Sequence, residues 1–158
     1  MGAINNAFNQ AAGAAAGAAL AIKHAKETDF SKAITAENAA LVARNQASTA
    51  EAEANEASYE AGKEGGLTDQ LGVANDNRIR AEKAYNKAVN RKNGSQATIF
   101  KKQEDLWAAQ EAEKTLKGKF LAIKDLQNRA AEQRAHAKKT TQLAEKAQQK
   151  YQSRWGGK

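Results

Sequence analysis

From Ala33 to Ala61 the chain places an alanine at every third or fourth position: Ala33, Ala36, Ala40, Ala43, Ala47, Ala50, Ala54, Ala57 and Ala61. The intervals alternate three and four without a miss, which is the a/d spacing of a heptad repeat. Alanine is the strongest helix former and the smallest side chain with a Cβ. A seam of alanines lets helix backbones approach closely but buries little apolar area per turn. At ~25 cal/mol per Å² such a stripe does not hold a helix pair together by itself. The pattern therefore predicts a helix with many neighbours, or one with a second apolar stripe. Ile34, Leu41 and Val42 lie beside the alanine line and are the candidates for that stripe.

The chain has 158 residues, no proline and no cysteine. Proline breaks helix interiors, so its absence suits long uninterrupted helices. Large apolar and aromatic side chains are too sparse for a conventional globular core. The fold class predicted is all-α, with long, extended helices and alanine-rich coiled-coil-like packing rather than a compact globule. Four segments are expected: a Gly/Ala-rich helix over 1–27, the alanine-heptad helix over 28–64, a short helix with turns over 65–94, and a long basic helix over 95–158.

The first segment holds the apolar run 11–22, which is short of the ~20 residues that span a bilayer. No lysine or arginine precedes it, so the basic n-region of a secretory signal is missing. Gly13 and Gly17 form a GxxxG, a spacing that brings helix backbones together in membranes and in close-packed pairs. Thr28, Asp29 and Ser31 are N-cap candidates for a second helix. Gly65-Gly66 and Asn93-Gly94 mark turns, and Ser95 is a cap for the helix that follows. That last helix, from Gln96 to about Trp155, would be about 90 Å long. Its d-type positions, from Ala109 to Tyr151, are apolar. Its a-type positions alternate between apolar residues and Glu113, Gln127, Arg134 and Thr141. Arg78 likewise occupies a core-like slot of the short helix.

The net charge is +7, unevenly spread: residues 1–62 sum to −3 and the remainder to +10. A basic half suggests nucleic acid, an acidic protein or a membrane surface. The candidates for phosphate contact are Lys138, Lys139, Lys146, Lys150 and Arg154, strung along the last helix. Charges so spaced neutralise phosphates without reading sequence, so any DNA binding is expected to be weak and non-specific. No catalytic constellation, metal-ligand spacing or phosphate-cradling loop is present in the sequence. His24 and His136 have no partner at ligand spacing, and Glu51, Glu53, Glu56 and Glu60 read as a solvated face. Neither enzymatic activity nor a cofactor is expected.

Three features together carry a resemblance: the Gly/Ala-rich N-terminus from Ala11 to Ile22, the Ala/Asn/Gln/Glu-rich helix around 36–47, and the Gln/Lys-rich helix with a basic end. The chain resembles the small internal virion, or ejection, proteins of short-tailed bacteriophages, and is similar in style to the DNA pilot proteins of microviruses. The resemblance implies a homo-oligomer carried in the virion interior, in contact with portal, tail or core proteins. Such proteins are delivered to the host envelope at infection, where they form a conduit for the genome. The implied partners thus include other virion proteins, the host membrane and DNA. The rival expectation is a structural virion adaptor or scaffold with no membrane role, and a third is a nucleic-acid packaging protein.

Overall fold

The computed structural model describes residues 2–156. Among these the chain is all-helical: α1 spans Gly2–Gly62, α2 spans Leu67–Val89 and α3 spans Gln96–Trp155. No strand occurs among the described residues. With no proline to remove a backbone donor, nothing interrupts the i→i−4 ladder, and each helix ends where glycine, asparagine or serine supplies an alternative.

The expected helix boundary at 28–31 is absent. α1 runs without a break through Thr28, Asp29 and Ser31. None of the three is a cap: Thr28 turns its hydroxyl back onto the His24 carbonyl at 2.8 Å, and Asp29 is buried. The cap motif misled because Thr, Asp and Ser are tolerated inside a helix when their polar groups find partners there.

The first real stop is the Gly65-Gly66 turn. Gly65 has φ +71°, the left-handed region that glycine enters without a Cβ penalty. A Cβ on Gly66 would stand 2.5 Å from the Glu60 carbonyl oxygen and 2.8 Å from those of Ala61 and Lys63. Asp69, in the first turn of α2, accepts the Gly65 N–H at 2.9 Å, and Gln70 donates to the Gly65 carbonyl at 3.0 Å. The second stop, after Asn90, restarts at Ser95, whose Oγ accepts the Thr98 N–H at 3.4 Å.

Contacts divide the chain into two units, each discontinuous in sequence or built from several helices. The first contains residues 1–47 and 133–158. In it α1 packs against the end of α3 through Ala33, Ala40, Ala43 and Ala47 on one side and Ala137 and Ala144 on the other, all buried. Ala43, Ala47 and Ala137 form one apolar cluster. The second unit contains residues 48–132. There Ala50 and Ala54 meet Ala130, with Leu126 packed against them. Glu113 on α3 meets Arg78 on α2.

The alanine stripe is therefore covered within the chain. Seven of its nine residues are buried, and Ala36 and Ala57 are half-buried. Ile34, Leu41 and Val42 do not form a second stripe against a neighbour; each is about half exposed, at 47%, 51% and 54%. The α3 face that covers α1 also differs from the expected a/d face. Within the second unit the covered positions of α3 run Ile99, Leu106, Ala109, Glu113 and Leu116, then shift to Ile123, Leu126 and Ala130. Phe120 and Gln127, which hold a-type slots, are exposed. A straight α-helix drifts by about 20° per heptad, so a long helix turns its a positions away and brings the preceding residue in. The half-polar seam read from the sequence is thereby drier in the structure.

Packing at alanine-to-alanine distance leaves no room for branched side chains. Ala43→Leu and Ala137→Leu are expected to cost about 1–3 kcal/mol each through overpacking, whereas Ala39→Leu, on the exposed side of α1, should stay within about 0.5 kcal/mol. Thermal unfolding followed by circular dichroism distinguishes them, and equal effects at all three sites would contradict this packing.

Candidate functional site

Three places in the structure carry more than alanine packing: one buried carboxylate in each unit, and the uncovered beginning of α1.

In the first unit, Asp29 sits four residues before Ala33 and continues the 3-4 line of covered positions. An acid in a methyl seam requires compensation. The end of α3 supplies it: the Trp155 indole N–H donates to Asp29 Oδ2 at 2.8 Å and the Arg154 guanidinium donates to the same oxygen at 3.0 Å. The Arg154 guanidinium also lies 4.9 Å from the Trp155 ring centroid. Nearby, the rings of Phe30 and Tyr151 meet at 5.5 Å between centroids. The Trp155 hydrogen bond, followed by the charges of Arg154 and Lys150, holds the Asp29 carboxyl below the ordinary carboxylate range, against the opposing effect of burial. The clamp fixes where α3 ends along α1. Arg154, a phosphate candidate by sequence, is engaged in this clamp. Lys138, Lys139, Lys146 and Lys150 are exposed.

In the second unit the two polar intruders found separately in the sequence meet. Arg78 Nε donates to Glu113 Oε2. The rest of its guanidinium binds within α2, to Glu82 at 3.0 Å and to the Asn75 side-chain oxygen at 3.1 Å. Lys117 reaches the other Glu113 oxygen at 2.7 Å. The Lys117 bond, then the Arg78 bond and charge, hold the Glu113 carboxyl below its usual range despite burial. A carboxylate with both oxygens occupied sets the register of α2 on α3, since sliding by one turn leaves it unpaired.

The third place is the start of α1. Every residue from Gly2 to His24 is exposed, including Ile4, Phe8, Leu20 and Ile22. No charged side chain occurs between Gly2 and Ile22. Alanine propensity and continuity with the packed part of α1 keep this stretch helical, because extending a formed helix avoids the cost of nucleation. Gly13 and Gly17 face open space: a Cβ on either would meet nothing within 4 Å. Each glycine costs about 1 kcal/mol of helix stability relative to alanine, and nothing in the folded chain requires it there. Among the described residues no helix is long and apolar enough to cross a membrane.

No protein-family model, curated protein or solved structure matches the chain. The site is therefore read from its own chemistry.

The sequence offered a signal for both carboxylates. Stepping four residues back from Ala33 lands on Asp29, and Glu113 already held an a-type slot. Pairing them with Trp155, Arg154 and Arg78 required the antiparallel course of α3.

Because its folded pKa is depressed, Asp29 contributes stability above the unfolded carboxylate value of about 4, and that contribution is lost as pH falls through the folded value. Asp29→Asn should therefore lower the melting temperature at pH 7, with the gap to the parent chain closing below about pH 4. A gap independent of pH would exclude this origin. Separately, Glu113→Ala should destabilise more than the double change Arg78→Met with Glu113→Leu, since the single variant strands a guanidinium against an apolar neighbour. Chemical denaturation of the two variants measures the order.

Proposed function

We propose that the chain is a non-enzymatic internal virion protein of the ejection type. In this reading it resides inside the particle and assembles through helices near the portal or tail axis. It then assists genome delivery across the host envelope. The observation that carries the reading is the beginning of α1: 23 residues of exposed, ordered helix from Gly2 to His24, uncharged to Ile22 and rich in small side chains. A protein acting alone gains nothing from exposing such a surface, whereas one that meets copies of itself or an envelope uses it. The alanine stripe has a different part, that of an internal coiled-coil-like seam between α1 and α3, as the 3-4 spacing of covered residues supports. Assembly therefore falls to surfaces other than Ala33–Ala61.

Contact with the host membrane is, in this reading, a property of several copies together. Asn5, Asn6, Asn9 and Gln10 lie in the exposed stretch, and neighbouring helices would have to cover their amides. The glycines at 13 and 17 allow the close approach this needs. The exposed lysines of α3, with no carboxylate cluster to offset them all, suit non-specific contact with the packaged genome.

The absence of a helix apolar enough to span a bilayer favours a second reading, a virion adaptor that packs against other subunits and never enters a membrane. Two measurements separate them. Immunolabelling of purified, genome-filled particles should place the protein inside for the ejection reading, and its absence from particles would remove both. Purified protein should release dye from anionic vesicles, and deletion of residues 2–24 should abolish the release. Interior location without release supports the adaptor.

A further inference from the structure

The covered line on α1 does not stop where α3 ends. Counting back from Asp29 in steps of four and three gives Ala25, Ile22, Ala18, Ala15, Ala11, Phe8 and Ile4. Every one is apolar. At 100° per residue they stay on one narrow face, in line with Asp29. Ala25 is half-buried, so the interface with α3 reaches it; from His24 back to Gly2 the same face is exposed, with Phe8 at 73% and Ile4 at 75%. An interface established over ten covered positions of α1 thus continues for about six more turns with nothing against it.

We propose that this face, Ile4 to Ile22, docks against the same face of a second copy of the chain. Three observations select that occupant. The face is continuous with the α1–α3 seam and repeats its spacing, so it suits a helix packed at similar distance. It carries no charge from Gly2 to Ile22, so two identical faces meet without like-charge repulsion. It is lined by alanines at its centre and by Phe8, Ile4 and Ile22 at its ends, and two copies place large side chains where the alanine centre leaves no competition for space. The contact is self-complementary, as a two-fold interface demands. Because its centre is alanine, the pair forms reversibly and with concentration, not as an obligate dimer. The glycines lie on the opposite side of the helix and are left for further neighbours.

This inference rests on the assembly part of the proposed function and is independent of the virion setting. The chain has no cysteine, which makes disulfide trapping clean. Ala15 lies at the middle of the stretch and meets itself whether the two helices run parallel or antiparallel. Full-length Ala15→Cys, oxidised at rising protein concentration, should form a covalent dimer. Ala16→Cys, about 100° round the helix, should form far less. Phe8→Glu in the Ala15→Cys background should cut the dimer yield at least about tenfold while circular dichroism stays unchanged, because Phe8 is exposed in the single chain. No dimer at the highest soluble concentration, equal yields at 15 and 16, or insensitivity to Phe8→Glu would each overturn the proposal. Co-sedimentation with phosphatidylglycerol vesicles in the absence of any dimer would assign the face to lipid instead. An interior location in particles with no cross-link would leave the virion reading standing and remove this interface alone.

Discussion

Methyl-to-methyl packing between helices governs this fold. Alanine seams trade strength for closeness: each contact buries little area, and length makes up the deficit. That trade explains the 61-residue α1 and 60-residue α3. It also explains why the covered residues include no fully buried large side chain among those described. Stability accumulates along the seam instead of in a central core. No single alanine dominates, and intrinsic helix propensity carries an unusual share of the total.

A seam of identical small side chains has a weakness, which is register. One methyl looks like the next, so a helix is free to slide by a turn at small cost. Two buried carboxylates remove that freedom, one per unit. Asp29 accepts two donors from the last turn of α3, and Glu113 takes a lysine and an arginine on separate oxygens. Neither is a catalytic arrangement. Each sits where sliding would strand a charge among methyl groups, so the penalty for misalignment is concentrated at one position. Polar residues in a heptad seam are often used this way, with specificity gained at some cost in stability.

The exposed beginning of α1 stands apart from this economy. Its sequence follows the same rules as the covered part, yet it has no partner within the chain. Function, in the reading proposed above, belongs to that mismatch between a helix built to pack and the absence of anything packed on it. The basic surface of α3 is a separate resource, and losing Arg154 to the Asp29 clamp leaves its lysines to meet any phosphate partner.

The helices themselves were legible in the amino-acid order. The lack of proline, the 3-4 spacing of alanine, and the Gly65-Gly66 and Asn93-Ser95 punctuation mark where α2 and α3 begin, because backbone propensity and turn chemistry are local. The break expected at Thr28–Ser31 failed for the opposite reason. Cap residues are recognised locally, but Asp29 answers to Trp155 and Arg154, 126 and 125 residues away. Tertiary structure alone decided that the alanine stripe is consumed within the chain, that Ile34, Leu41 and Val42 stay exposed, and that Arg78 and Glu113 are partners. Periodicity says which face of a helix seeks company; only the path of the chain in space says which helix provides it.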